Sequence, residues 1–310
     1  MRNQLTLFAI VGLLLCCCAV PAANAQGTCS LRTMVGTYAM HETGASYFLD
    51  PTQQAYPLHF AGATAPFANV GLVTFKPNGI GNGYYWIYIG ALSGGFDPIP
   101  VQVTITEMKE DCTGKFTYVA NLPGGLSATV EERFVLFDNG REFRSIPTSI
   151  QNGIGTLAWV GTGRRISTSA KPVKSCGQQT ANGTYVLAIE NIIVDQPTNA
   201  IADTVLIRED ISMTGDYTGK MYEKYADHPP VETWVQGTVT VNPDCSFTSS
   251  VQIPEYYVNL LGKGVFFNQG KEFYMLIPGD PSLPPDQQWL KFSFVYGKRV
   301  GPRPDRLSSK

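Results

Sequence analysis

The chain has 310 residues, with 23 Lys and Arg against 25 Asp and Glu, a net charge of −2. With no basic excess and no basic stripe, it lacks the electrostatic footprint of a nucleic-acid or anionic-lipid binder. Its length exceeds that of a typical single domain and suits two of ordinary size.

Residues 1–25 read as an export signal. Arg2 gives a positive start, Leu5 to Val20 an apolar stretch, and Ala23-Asn24-Ala25 a small-x-small cleavage site before Gln26. The apolar run is shorter than the ~20 residues a membrane span needs, and later apolar runs are shorter and more interrupted. Cys16, Cys17 and Cys18 fall within this signal, which leaves Cys29, Cys112, Cys176 and Cys245 for the mature chain. An even number of cysteines in a secreted protein predicts two bridges, and four cysteines allow three pairings. No pair has C-x-x-C spacing and the only histidines are His41, His59 and His228, so no metal site is expected. One glycosylation sequon is present, Asn182-Gly183-Thr184, able to carry sugar in a eukaryotic host.

The mature sequence repeats itself. Cys29 is followed seven residues later by Gly36-Thr37-Tyr38, and Cys176 seven residues later by Gly183-Thr184-Tyr185. Asp111-Cys112-Thr113 is matched by Asp244-Cys245-Ser246, and Phe134 to Phe143 by Val265 to Phe273. Each half ends on an apolar strand with a basic pair, Trp159 to Arg165 and Phe294 to Arg299. Four landmarks in one order predict a duplicated domain over 26–168 and 175–301, with a tail at 302–310. Ser167 to Lys174 has linker composition. The repeat selects the pairing Cys29–Cys112 and Cys176–Cys245, each bridge contributing about 4 kcal/mol in the chain-entropy model.

Strand signals dominate, as short β-branched and aromatic runs bounded by Gly, Pro, Asn and Asp. The first half predicts strands near 36–41, 70–76, 83–90, 101–108, 114–121, 127–138, 141–147 and 155–166. The second predicts them near 183–190, 203–210, 218–225, 232–242, 246–254, 263–268, 271–278 and 289–300. Asp138-Asn139-Gly140 and Asn268-Gln269-Gly270 are tight-turn signals. No stretch shows helical periodicity. The expected fold is all-β, two tandem antiparallel barrel-like domains of about eight strands each, because closure removes the exposed edges of an open meander. A jelly roll or sandwich is the alternative; it needs long crossovers, and only 44–69 is long enough.

An eight-stranded barrel can be filled or can hold one small ligand. In the richest strand, Tyr84, Trp86 and Tyr88 share one face and Tyr85, Ile87 and Ile89 the other. One face should line the interior, and the other should pack on the partner domain or a loop. Tyr84, Trp86 and Tyr88 read as an aromatic ligand wall, with plain core packing as the competing reading. The same two readings apply to Trp234, Tyr256, Tyr257, Tyr274, Trp289, Phe292 and Phe294, of which Trp234, Tyr257 and Phe292 are the ligand candidates. Gly44 to Asn69 reads as a long loop, either an aromatic lid or a surface decoration. Arg144 would mark a site if it faced a barrel interior, and would be ordinary surface if it faced water. Glu131-Glu132 and the pair Glu107 and Glu110 read as solvated surface, since adjacent strand residues point to opposite faces. No G-x-S-x-G, H-E-x-x-H or phosphate-cradling loop is present, so no cofactor is expected.

The paired meanders resemble calycin-like and allene-oxide-cyclase-like barrels. With the signal, the cysteine-bearing repeats and the aromatic strands, the chain also resembles the secreted fungal hetero-Diels–Alderases of tropolonic sesquiterpene pathways. That resemblance covers the mature chain in layout, assigns no catalytic residue, and implies a cofactor-independent cyclisation of a hydrophobic intermediate. Such a step needs two apolar partners held in a near-attack geometry and a hydrogen-bond donor or two. A non-catalytic secreted binder of a small apolar molecule is the alternative, and a structural or surface protein, including a carbohydrate binder, is a third.

Overall fold

The computed structural model describes residues 28–47, 64–89, 97–122, 126–151, 156–194, 200–225, 229–278 and 290–301. The first half forms β1 (Gly36–Tyr47), β2 (Thr64–Phe75), β3 (Ile80–Ile89), β4 (Ile99–Met108), β5 (Thr113–Leu122), β6 (Leu126–Phe137), β7 (Glu142–Gln151) and β8 (Thr156–Ser167). The second forms β9 (Gly183–Val194), β10 (Ala200–Ile211), β11 (Asp216–Tyr225), β12 (Val231–Val241), β13 (Ser246–Ile253), β14 (Val258–Phe267), β15 (Glu272–Pro278) and β16 (Leu290–Gly301). Each set closes into a barrel in sequence order, β1 pairing with β8 and β9 with β16, all antiparallel. The expected all-β pair of eight-stranded barrels is what forms, and the sandwich alternative falls away. The segment 44–69 is shorter as a loop than the sequence suggests. β1 extends to Tyr47 and β2 starts at Thr64, so Phe67 is a buried wall residue. The aromatic lid reading therefore concerns 48–63, which lie outside the described residues, as do the signal segment, His59, Trp289 and the tail.

Each repeated landmark has a structural task at the same end of its barrel. Gly36 and Gly183 begin the first strand of each barrel at φ of 136° and 155°. A Cβ on Gly36 would fall 2.0 Å from the Ser167 carbonyl oxygen, so only glycine fits there. Cys112 and Cys245 occupy left-handed positions in turns, at φ of 69° and 74°. The preceding aspartates cap those turns: Asp111 accepts from the Thr113 N–H, and Asp244 from the Ser246 N–H, both at 3.0 Å. Cys29–Cys112 and Cys176–Cys245 are disulfides and tie the entry segment of each barrel to this end. They place the chain in an oxidising environment.

The second member of each basic pair is a clasp. Arg165 donates to the carbonyls of Gly140, Asn139 and Thr33, each at 2.9 Å, and lies over the Tyr38 ring. Arg299 donates to the Thr180 carbonyl at 2.6 Å and lies over the Tyr185 ring. Tyr38 and Tyr185 in turn donate to the carbonyls of Gly140 and Gly270 at 2.6 and 2.7 Å. Charge-assisted bonds to several buried carbonyls rigidify a turn more than one neutral bond would.

Three apolar clusters organise the molecule: one inside each barrel, and a third between them. The third is built from Ala68, Val70, Leu72 and Trp86 on one side and Val265, Phe267, Tyr274, Leu276 and Phe294 on the other. Walls buried on both faces lose the period-2 alternation. β15 is buried from Glu272 to Ile277 for this reason, with Phe273, Met275 and Ile277 inside the barrel and Tyr274 and Leu276 against the partner. β4, with one face in water, keeps a strict alternation. Across the seam His41 stacks on Phe294, Tyr84 donates to Asp244 at 2.7 Å, and Arg164 pairs with Glu272 at 3.1 Å.

Two glycines test this packing in parallel. A Cβ on Gly163 would fall 2.1 Å from Phe143, and one on Gly297 would fall 2.2 Å from Phe273. Gly163→Ala and Gly297→Ala are each expected to cost about 1–3 kcal/mol by overpacking. Thermal melts should show losses of several degrees for both; an unchanged midpoint in either would contradict the close approach of phenylalanine to glycine.

Candidate functional site

The interior of the first barrel has a polar centre. Glu42 on β1 and Glu132 on β6 are both fully buried. Glu42 shares the inward parity of Tyr38 and Met40, and Glu132 that of Val130, Phe134 and Leu136. Asn69 donates to Glu42 Oε2 at 2.5 Å and Tyr118 donates to the same oxygen at 3.3 Å. Trp159 Nε1 donates to Glu132 Oε1 at 2.9 Å. The carboxyls converge at Gly161, where a Cβ would lie 2.3 Å from Ser145 Oγ, 3.2 Å from Glu42 Cγ and 3.6 Å from Glu132 Oε2. Phe67 stacks on Trp159 at 4.5 Å on one side of this layer. The disulfide end is plugged by Tyr38, Phe116, Phe134 and Phe143.

Burial pushes both carboxyls well up from the usual carboxylate range. Charge on Glu132 raises Glu42 further, so Glu42 holds its proton harder. Glu42 Oε1, Glu132 Oε2, Asn69 Oδ1 and Ser145 Oγ make no hydrogen bond of ordinary geometry, although Ser145 faces Glu132. The reading of Glu132 as solvated surface is thus corrected. Glu131 does face outward, near Lys115 and Thr148, but its neighbour points into the barrel.

Matching the halves turn for turn shows what became of this centre in the second barrel. Glu42 answers to Ile189, Asn69 to Val205, Tyr85 to Met221 and Tyr118 to Val251. Glu132 answers to Gly262, Ser145 to Met275 and Trp159 to Ser293. Smaller side chains, all without a polar group except Ser293, replace two tyrosines, a tryptophan and both acids. The result is a cavity of about 90 Å³, lined by Ile189, Val205, Ile207, Met221, Val235 and Val251 among others. Glu209 also lines it, and burial pushes its carboxyl up to about 8, with Asp210 adding to the shift. The Tyr217 hydroxyl, at the same wall, donates to the Ser250 carbonyl at 3.0 Å.

The sequence candidates lie elsewhere. Tyr84 and Trp86 face the seam between the barrels, and the opposite face of β3 supplies the interior with Tyr85 and Ile87. Arg144 faces outward, paired with Glu142 at 2.9 Å and bonded to Thr162 at 2.8 Å. Trp234 is 58% exposed on the outer wall of the second barrel, beneath Lys220. Tyr257 is 97% exposed in a left-handed turn position. The side chains of Tyr88 and Phe292 lie outside the described residues. Tyr84, Trp86 and Arg144 are thus drawn to or beside one seam, whereas Trp234 and Tyr257 join neither interior. Asn182 of the sequon is fully buried. Among the described residues no cluster of three or more His, Cys, Asp or Glu could hold a metal, and no helix is long and apolar enough to cross a membrane.

No family model and no curated protein matches the chain. Solved structures match it loosely. Transferrin-binding protein B of Neisseria meningitidis serogroup B is 11% identical at a TM-score of 0.28, over 86% of this chain and 76% of that one. A Haemophilus parasuis transferrin-binding protein B is 8% identical at 0.32, over 85% and 75%. A DUF3598-family protein of unknown function from Nostoc punctiforme is 8% identical at 0.26, over 88% and 99%. At these scores none of them bears on what the chain does.

Two expectations follow. A buried carboxyl raised from 4.5 to about 8 binds its proton in the folded state while the unfolded chain has lost it. The stability Glu209 contributes is present below about pH 4.5 and is lost as pH rises toward 8, on the order of 3–5 kcal/mol in all. Thermal melts of Glu209→Gln should equal or slightly trail the wild type at pH 5 and exceed it at pH 9; a wild type as stable relative to the variant at pH 9 as at pH 5 would refute the buried acid. Separately, protein secreted from a eukaryotic host should show no mass loss on N-glycosidase treatment, because the folded surface does not present Asn182.

Proposed function

We propose that the protein is secreted and binds a small, largely apolar molecule inside the second barrel, with 1–25 as signal and 26–168 and 175–301 as the duplicated units. The observation that carries this reading is the cavity bounded by Ile189, Val205, Met221 and Val251, at the positions where the sister barrel is filled by Glu42, Asn69, Tyr85 and Tyr118. Apolar ligands are drawn into such dry cavities, and a few polar groups fix their orientation. Glu209 supplies that group. Holding its proton at neutral pH, it donates a hydrogen bond to a carbonyl or hydroxyl oxygen of the ligand.

The same pairing of an apolar cavity with a neutral acid favours a second reading, cofactor-independent cyclisation of a hydrophobic intermediate by a hetero-Diels–Alder step. Orientation within the cavity would contribute the main rate term, and a hydrogen bond from Glu209 to a carbonyl oxygen of the diene would stabilise developing negative charge.

The sister barrel supplies the blocking substitution. Val251→Tyr introduces the residue that the first barrel accommodates at Tyr118, so the fold should tolerate it. Native mass spectrometry of the secreted protein, incubated with lipophilic extract of its producing culture, should show a retained small compound that Val251→Tyr loses at least tenfold. A wild type that retains nothing, or a variant that retains the compound equally, would sink the proposal. Retention of a cyclised product, with its precursor consumed, would select the second reading.

A further inference from the structure

We propose that the polar centre of the first barrel is a second binding site, for a small organic ammonium ion held between Glu42 and Glu132. It is separate from the cavity of the second barrel and rests on different residues.

The first argument is a count of acceptors. Glu42 Oε1, Glu132 Oε2 and Asn69 Oδ1 are buried oxygens without a donor of ordinary hydrogen-bond geometry, and Ser145 Oγ faces Glu132. A buried acceptor left unmet is destabilising, and more so when it is charged. Three such oxygens meet in one layer. Glu42 pairs across the sheet with Asn69 and with Gly161, and Gly161 is where the Ser145 hydroxyl and the Glu132 carboxyl converge. A primary ammonium offers three N–H donors, which three of these oxygens match.

The second argument is charge. No cation among the described residues compensates the pair. Among the described inward-facing residues of the first barrel the basic one is Arg165, and its guanidinium is spent on the carbonyls of Gly140, Asn139 and Thr33 at the disulfide end. His41, Arg144 and Arg164 lie on the outer side of the wall, where Arg144 pairs with Glu142 and Arg164 with Glu272. Lys115 pairs with Glu131 outside. The groups facing the carboxyls are neutral: Asn69, Tyr85, Tyr118, Ser145 and Trp159.

The third argument is the surroundings, which select an organic cation over a metal ion. Calcium takes six to eight oxygen ligands, and this layer offers three free acceptors with the Ser145 hydroxyl beside them. Two residues further along β1, Gly44 pairs with both Phe67 and Trp159, whose stacked rings lie against the acid layer. Tyr85 and Tyr118 add two more rings. Aromatic faces attract ammonium groups, most strongly when desolvated, and the carbon skeleton of an amine packs on them. The glycine at position 44 is required by this arrangement, since a Cβ there would fall 2.6 Å from Trp159 Cβ.

In the free protein at pH 8 burial still holds a proton on the pair, chiefly on Glu42 beside the charge of Glu132, and an arriving cation displaces it. Binding therefore tightens as pH rises toward 9 while the amine stays protonated. Isothermal titration calorimetry of the full secreted protein with methylamine, butylamine and phenethylamine, each against its neutral alcohol, tests this. The expected result is binding of at least one amine at pH 8 with proton release, seen as a heat that varies with buffer ionisation enthalpy. Its alcohol should bind at least tenfold more weakly. Glu132→Gln and Glu42→Gln should each weaken amine binding tenfold or more and leave the compound retained by the second barrel unaffected. An alcohol that binds as tightly as its amine, no heat with any amine, or an affinity unchanged in both variants would overturn the proposal. So would calcium binding tighter than any amine.

Discussion

The interior of an eight-stranded barrel has a nearly fixed cross-section, just wide enough for side chains to fill. What stands at the inward positions therefore decides whether the barrel is a plugged core or a container, while the backbone stays the same. In this chain the constraint operates twice on one template. Turns, disulfides and arginine clasps recur at matching positions, so backbone differences do not explain why the interiors differ. Side-chain volume does. Tyr85, Tyr118 and Trp159 narrow the middle of the first barrel around its two acids; Met221, Val251 and Ser293 leave a wider, apolar cavity in the second.

The two barrels are not free modules. β1, β2 and β8 of the first meet β14 and β15 of the second, and the wall strands there are buried on both faces. His41 shows the cost of this seam: burial and the nearby charges of Arg144 and Arg164 drive its pKa down to about 3, so it remains neutral and stacked between Tyr274 and Phe294. Such a packed seam anchors the aromatic face of β3. It explains why Tyr84 and Trp86, from the richest aromatic signal in the sequence, are turned away from the interior of the first barrel.

Strand order, duplication and disulfide pairing were legible because each leaves a mark in local sequence: turn residues with positive φ, alternation, and cysteines at matching offsets. The faces of β3 were not legible, because both are aromatic and only the neighbour across the seam distinguishes them. The buried acids carried a readable sign. Glu132 has the parity of Phe134 and Leu136, and Glu42 that of Tyr38 and Met40, which places each carboxylate on the apolar side of its strand. Low overall charge and the adjacent Glu131 argued for surface, and that argument weighed composition above parity. The burial of the sequon was not legible either. Asn182 sits just before β9 in a buried turn, and a three-residue motif carries no information about burial.

Duplication also supplies an internal control on whether the buried acids are there for the fold. Glu42 and Glu132 correspond to Ile189 and Gly262, and Glu209 corresponds to Val73. Each barrel thus folds with an apolar residue or glycine at the place where the other buries a carboxyl. Buried charges are destabilising unless matched, and apolar replacements of similar volume are commonly neutral or stabilising. A position where the sister domain shows that an apolar residue suffices, and where an unmatched acid nevertheless stands, departs from what stability alone would select. All three acids meet that description, and they lie at the two interiors, not along the seam or the outer walls. The same comparison weighs against the exposed aromatics Trp234 and Tyr257 as the centre of function, since neither interior depends on them. Function in this protein is to be sought where two copies of one scaffold have been made chemically unlike.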